Sequence, residues 1–112
     1  MFTNREDLAW AAGFFDGEGC FYARKQHGKY YATMETDQVD PEVLAKCQRI
    51  TGLGKVKGPY KQGNVKHQDQ WRWQTLGFAH TQALVAMLWT WLGTKKRNQA
   101  TRVLQLHGKP HE

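Results

Sequence analysis

Two carboxylates, Asp16 and Glu18, stand among glycines in Gly13-Phe14-Phe15-Asp16-Gly17-Glu18-Gly19, where a helical apolar pattern runs out. Acids are misplaced there, because the C-terminal end of a helix carries the negative pole of its dipole. Two readings compete. The pair caps a turn, or a divalent cation offsets it, with carboxylate oxygens and helix-end carbonyls such as that of Gly17 as hard ligands. Just upstream, Ala9, Gly13 and Gly17 recur every four residues and leave a bare stripe along the helix. Small residues permit close backbone approach, either to the chain's own core or to a second helix. If the stripe, flanked by Ala12 and Asp16, is a dimer interface lying on a two-fold axis, two copies of Glu18 arrive side by side and form a metal-recruiting site between subunits.

Those residues need a helix and a sheet to hold them. Residues 5–15 read as a helix with Asn4 as cap and Glu6 and Asp7 in its first turn. Residues 20–26 and 29–37 read as a hairpin turning at His27-Gly28. Asp40-Pro41 opens a second helix that Gly52 stops. Residues 55–57 and 70–76 form a second strand pair, joined by a polar loop over 58–69 expected to be mobile. An apolar helix over 78–92 and a final helix over 95–106 follow, and the residues after His107 are expected to fray. The order is αββαββαα, an α+β class on one domain spanning 1–112.

Alternation along the strands divides the sheet. One face collects Phe21, Ala23, Tyr30, Ala32, Met34, Val56, Trp71 and Trp73 and is core. The other collects Tyr22, Arg24, Gln26, Lys29, Tyr31, Thr33, Lys55, Lys57, Gln70, Arg72 and Gln74, with Glu35 the single acid. Cations, amides and tyrosines on one face suit phosphates and base edges, and a β-ribbon fits the major groove. Bulk properties agree: the formal charge is +6 and the pI is near 9.5, which favours an anionic partner, though surplus lysine on a solvated surface reads the same way. At 112 residues the chain has room for a single modest core but not for separate catalytic and binding domains. No apolar run reaches a membrane span and no signal peptide is evident, so the expected setting is cytoplasmic, or organellar for an organelle gene. Cys20 and Cys47 match no disulfide or zinc spacing, Cys20 lacks a partner for nucleophilic work, and His27, His67, His80, His107 and His111 read as surface or loop residues.

The segment Ala12-Gly13 followed by Asp16-Gly17-Glu18-Gly19 resembles the LAGLIDADG motif of the homing endonucleases. The likeness extends over Asp40-Pro41-Glu42-Val43-Leu44, Thr51-Gly52-Leu53-Gly54-Lys55-Val56 and Lys95-Lys96-Arg97-Asn98-Gln99-Ala100. It implies an αββαββα fold with a four-stranded antiparallel saddle-shaped sheet, helices on one face and double-stranded DNA on the other. It also implies Glu18 and the Gly17 carbonyl as ligands of Mg²⁺ or another divalent cation, Asp16 as a structural acid, Gln38 as the residue positioning water, and Lys96 as the active-site lysine, with Lys95 and Arg97 close in register. The implied activity is site-specific cleavage of a long, near-palindromic duplex, in the service of intron or intein mobility. Two departures bear on this. Glu18 is one methylene longer than the family's usual aspartate, and the chain carries the motif once, so a homodimer is required. The alternatives are a LAGLIDADG maturase or regulator that binds DNA or RNA without cutting, a module stacking RNA bases on Tyr22, Tyr31, Trp71 and Trp73, and a purely structural dimer. The intact Glu18 stands against the first, the core placement of both tryptophans against the second and the cationic face against the third.

Overall fold

The structure, a computed structural model, describes residues 4–61 and 68–111. The centre of the 58–69 loop and His67 therefore lie outside the described residues. Helix α1 (Arg5–Glu18) starts where Asn4 Oδ1 accepts the N–H groups of Glu6 at 2.6 Å and Asp7 at 3.4 Å, filling two of the donors every helix leaves open. It runs one turn past the expected end and takes in Asp16, Gly17 and Glu18. Gly19 stops it, and a Cβ at that position would collide with the Phe15 ring.

Strands β1 (Cys20–Gln26) and β2 (Lys29–Gln38) are joined by a two-residue turn in which His27 and Gly28 both take positive φ, 52° and 77°. That is the type I′ geometry whose twist matches an antiparallel ribbon. Asp40 caps α2 (Pro41–Thr51) through the Glu42 N–H at 2.9 Å, and Gly52 ends it in the left-handed conformation. Strand β3 (Lys55–Tyr60) outruns the expected 55–57. Gly58 and Pro59 would break a central strand, but β3 is an edge strand whose register slips between Lys57 and Tyr60, where such residues are tolerated. Strand β4 (Gln70–Leu76) leads into α3 (Phe78–Leu88), which tightens into a 3₁₀ turn over Trp89–Trp91 instead of continuing to residue 92, and α4 (Thr94–Leu106) follows.

The sheet order is β1-β2-β4-β3, antiparallel throughout, with the helices packed on one face. The core gathers Phe15, Phe21, Met34, Leu44, Trp73, Leu84 and Leu88. Phe15 packs its ring against Phe21 at 4.7 Å between centroids and edge-on to Trp73 at 6.5 Å. Polar groups within the core find partners at two places: Trp73 Nε1 donates to the Leu53 carbonyl at 2.9 Å, and the Thr75 and Thr81 hydroxyls share a bond of 3.0 Å.

The tail does not fray. Beyond α4 the chain lies along the first residues of β2, where β4 does not reach. Tyr30 exchanges backbone bonds with Lys109 (2.9 Å) and Gly108 (2.8 Å), and the His111 N–H donates to Gly28. His107 lies in the turn that ends α4 and is structural there: its Nδ1 accepts the Ala32 N–H at 3.0 Å while its ring sits between Tyr31 and Phe78. His107→Ala strips the acceptor from this partly buried amide and is expected to cost roughly 1–3 kcal/mol, read as a drop of several degrees in a thermal melt.

Candidate functional site

Glu18 closes α1 and Gln38 closes β2, twenty residues apart in sequence. The fold brings them together: Gln38 Nε2 donates to Glu18 Oε2 at 3.3 Å. The Glu18 carboxylate is exposed, and the helix turn it ends leaves carbonyls without intrahelical partners. An exposed carboxylate beside helix-end carbonyls is an all-oxygen donor set, which fits a hard divalent cation. Among the described residues of one chain, no group of three or more His, Cys, Asp and Glu side chains gathers to hold a metal.

Asp16 faces the other way. Its Oδ1 accepts the Gly93 N–H at 2.8 Å, and a Cβ on Gly93 would come within 3.2 Å of the carboxylate. This carboxylate therefore sits at the N-terminus of α4 and fixes where that helix begins. Of the three cations in the first turns of α4, Arg97 is committed elsewhere: Nε and Nη2 donate to the carbonyls of Trp89 (3.0 Å) and Thr90 (3.2 Å), and the guanidinium stacks on Trp89. Lys95 is exposed and Lys96 half-buried. Lys96 acts electrostatically on the Cys20 thiol, close to the motif. That thiol is raised above its ordinary pKa, because partial burial, with help from Glu35, outweighs the pull of Lys96. Cys20 is thus no activated nucleophile, and burial pushes Cys47 up to about 11. Three residues beyond Lys96, Gln99 Oε1 accepts the Phe21 N–H at 2.8 Å and ties α4 to β1.

On the sheet, register places Tyr22 opposite Thr33 and Thr33 opposite Leu76. Arg24 faces Tyr31, Gln26 faces Lys29, and Gln74 faces both Glu35 and Lys55. The polar face read from alternation is therefore continuous across four strands. Lys29, Lys55, Lys57 and Gln26 are exposed, and Tyr22, Arg24, Tyr31, Gln70, Arg72 and Gln74 half-buried. Two corrections apply. Thr33 is fully buried in the central strand and its hydroxyl bonds the Tyr31 carbonyl, so its side chain is withheld from any ligand. Glu35 is not the single acid: Asp37 lies on the same face and grips Arg72, with Nε to Oδ1 at 2.8 Å and Nη2 to Oδ2 at 3.1 Å. Glu35 adds a contact to Arg72 at 3.4 Å and accepts the Tyr22 hydroxyl at 3.1 Å. The bond to Asp37 pushes the Arg72 pKa further up, while partial burial and Glu35 together raise that of Tyr22.

No protein-family model and no curated protein matches the chain. Solved structures do. It aligns with the homing endonuclease I-CvuI in complex with DNA at a TM-score of 0.72 and 26% identity, over 91% of this chain and 68% of that one. The fold is shared with the homing endonuclease I-TnaI, at a TM-score of 0.66 and 23% identity over 88% of this chain and 69% of that one. It is shared again with the LAGLIDADG homing endonuclease I-GzeII in complex with its DNA target, at 0.64 and 13% over 93% of this chain and 36% of that one. The chain has the fold of the LAGLIDADG homing endonucleases.

The LAGLIDADG helix is α1, and its sides are now distinct. Leu8, Ala11, Ala12 and Phe15 face the core, with Ala12 wholly buried, so Ala12 packs within the chain and does not lie on the exposed stripe. Gly13 and Gly17 are exposed, a Cβ on either would meet nothing within 4 Å, and Ala9 is half-buried beside them. Asp16, expected in that stripe, is turned onto Gly93. Asp37 on the polar face and the structural tail residue His107 are what sequence reading missed. Alternation did place Asp37 on the polar face, two residues beyond Glu35, whereas no local pattern marks His107. Asp16→Ala is expected to lower stability by about 1–3 kcal/mol through loss of the acceptor for the part-buried Gly93 N–H, and to speed hydrogen exchange at the Gly93 amide while leaving that at Glu6 unchanged.

Proposed function

We propose that the chain is a site-specific double-strand DNA endonuclease that works as a homodimer with Mg²⁺ or another divalent cation on a long, near-palindromic target. One observation carries this: the exposed Glu18 carboxylate, paired with Gln38, ends a helix whose solvent side at Gly13 and Gly17 is bare. A second copy approaching along that stripe supplies the second Glu18, which one chain lacks. I-CvuI has been solved with target DNA in the presence of Mg and of Ca. No helix among the described residues is long and apolar enough to cross a membrane.

Glu18 and the Gly17 carbonyl hold the cation, which when bound neutralises the phosphate and makes an adjacent water nucleophilic. Gln38, already aimed at Glu18, uses its amide to orient that water. Lys96, at the base of α4, stabilises the charge that builds on the scissile phosphate. Exposed Lys29, Lys55 and Lys57 contact the backbone, and Gln26, Gln70, Gln74, Arg24 and Tyr31 reach base edges.

Two substitutions separate the parts. Glu18→Gln keeps the shape and the Gln38 contact but removes the charge. Its cation-dependent cutting is expected to fall by at least about a hundredfold with duplex binding intact, and undiminished cutting in a nicking assay would refute the role of Glu18. A Cβ at the exposed Gly13 meets nothing within 4 Å among the described residues, so Gly13→Leu is expected to fold, yet to sediment as a monomer and lose tight binding to two half-sites. A wild-type chain that binds one target but never cuts it, with any divalent cation, indicates instead a regulator or maturase.

A further inference from the structure

Arg72 is the most tightly held cation on the polar face. It sits opposite Asp37 on β2 and Lys57 on β3. Asp37 takes its Nε and Nη2 as a fork, Glu35 lies 3.4 Å from Nη2, and the Tyr60 ring covers the guanidinium with its centroid 5.0 Å away. Glu35 is itself pinned by the Tyr22 hydroxyl. Residues from all four strands thus fix one side chain at the surface, where Arg72, Asp37 and Glu35 remain 32%, 32% and 24% exposed.

Stability alone is a weak reason for this arrangement, since exposed ion pairs contribute only about 0–1 kcal/mol. Two carboxylates around one guanidinium leave the cluster with a net negative charge, which repels a phosphate. Arg72 is therefore poorly suited to gripping the DNA backbone. Base edges differ, because they present acceptors and donors together: guanine offers O6 and N7, and its partner cytosine offers the N4 amino group beside them in the major groove. A guanidinium next to carboxylates matches that pattern, and only one orientation of one base pair supplies it.

We propose that the Arg72–Asp37–Glu35 cluster is a specificity element that selects one G·C pair in each half-site. Arg72 donates to guanine O6 and N7, and a neighbouring carboxylate accepts from the N4 amino group of the paired cytosine. Wherever another base pair or bare phosphate meets the cluster, the carboxylates keep Arg72 occupied and repel the DNA. The inference rests on the DNA-binding reading above and sharpens it.

The test is selection of bound duplexes from a randomised library by the full chain, with each position scored by sequencing. Wild type is expected to fix a G·C pair at one position per half-site. Arg72→Lys keeps the charge but not the fork, and Asp37→Asn keeps the shape but not the charge. Each is expected to flatten that position by roughly tenfold and leave the others unchanged. Asp37→Asn is further expected to bind random duplex more tightly and to steepen the salt dependence by about one unit of log–log slope, because a freed Arg72 engages phosphate. A merely structural pair would weaken every position equally. Uniform loss, no change at any position, or a change confined to an A·T position overturns the inference while the DNA-binding reading stands. If wild type retains no duplex at all, that reading falls and takes this one with it.

Discussion

An acid at the end of a helix is opposed by the helix itself, and α1 ends with two. Asp16 is relieved from within the chain: its carboxylate bridges the negative end of α1 and the positive end of α4 through the Gly93 N–H. The site depends on that bond. It fixes the exit of α1, so that Glu18 comes out beside Gln38, and it fixes the start of α4, which carries Lys96 two residues into the helix and Gln99 onto the edge of β1. Among the described residues Glu18 has no such helix end to answer its charge, only the amide of Gln38 at 3.3 Å. The two readings of the motif therefore divide between its two acids. Asp16 is the structural one, and Glu18 is the one the proposed cation would answer.

The polar side of the sheet is organised by a similar imbalance. The charge of +6 is not spread evenly: Lys29, Lys55 and Lys57 stand exposed, while Arg72 in the interior of the face is surrounded by Asp37 and Glu35. Long-range attraction to a polyanion comes from the free cations, and it falls off within about a Debye length. The clasped arginine contributes little to that field. What it offers is geometry, because a guanidinium held by a fork keeps one orientation and loses less entropy when it meets a ligand.

Much of this was legible locally. Asn4 and Asp40 as caps, Gly52 as a stop, the His27-Gly28 turn and the limits of β4 each depend on residues within a few positions of one another, so sequence marks them directly. The polar and apolar faces followed from a period of two, and the register bore it out. What failed was non-local. Thr33 is polar by type but buried because it sits mid-sheet between Tyr22 and Leu76. Asp37 binds Arg72 from 35 residues away, and the tail pairs with a strand some 80 residues upstream. Ala12 was misassigned for a simpler reason: one residue is 100° of helix, enough to carry it from the bare stripe onto the core side with Ala11 and Phe15.

That rotation leaves a question about the stripe itself. Glycine inside a helix costs roughly 1 kcal/mol relative to alanine, and α1 carries it at Gly13 and Gly17. Among the described residues nothing uses the missing side chains, since a Cβ at either position would point into open space. Gly19 is different, because there the Phe15 ring occupies the room a Cβ would need. Close approach of a second helix backbone, as in the proposed dimer, would offset the cost at Gly13 and Gly17. The neighbouring surface is suited to being covered: Trp10, one turn before Gly13, is 38% exposed, stacks on Phe14 and holds the Lys46 ammonium 3.9 Å over its ring. A second α1 laid antiparallel or crossed over these glycines would meet a flat backbone flanked by an aromatic wall, and because Glu18 ends the same helix, the proposed dimer and the proposed cation site would both follow from that one contact.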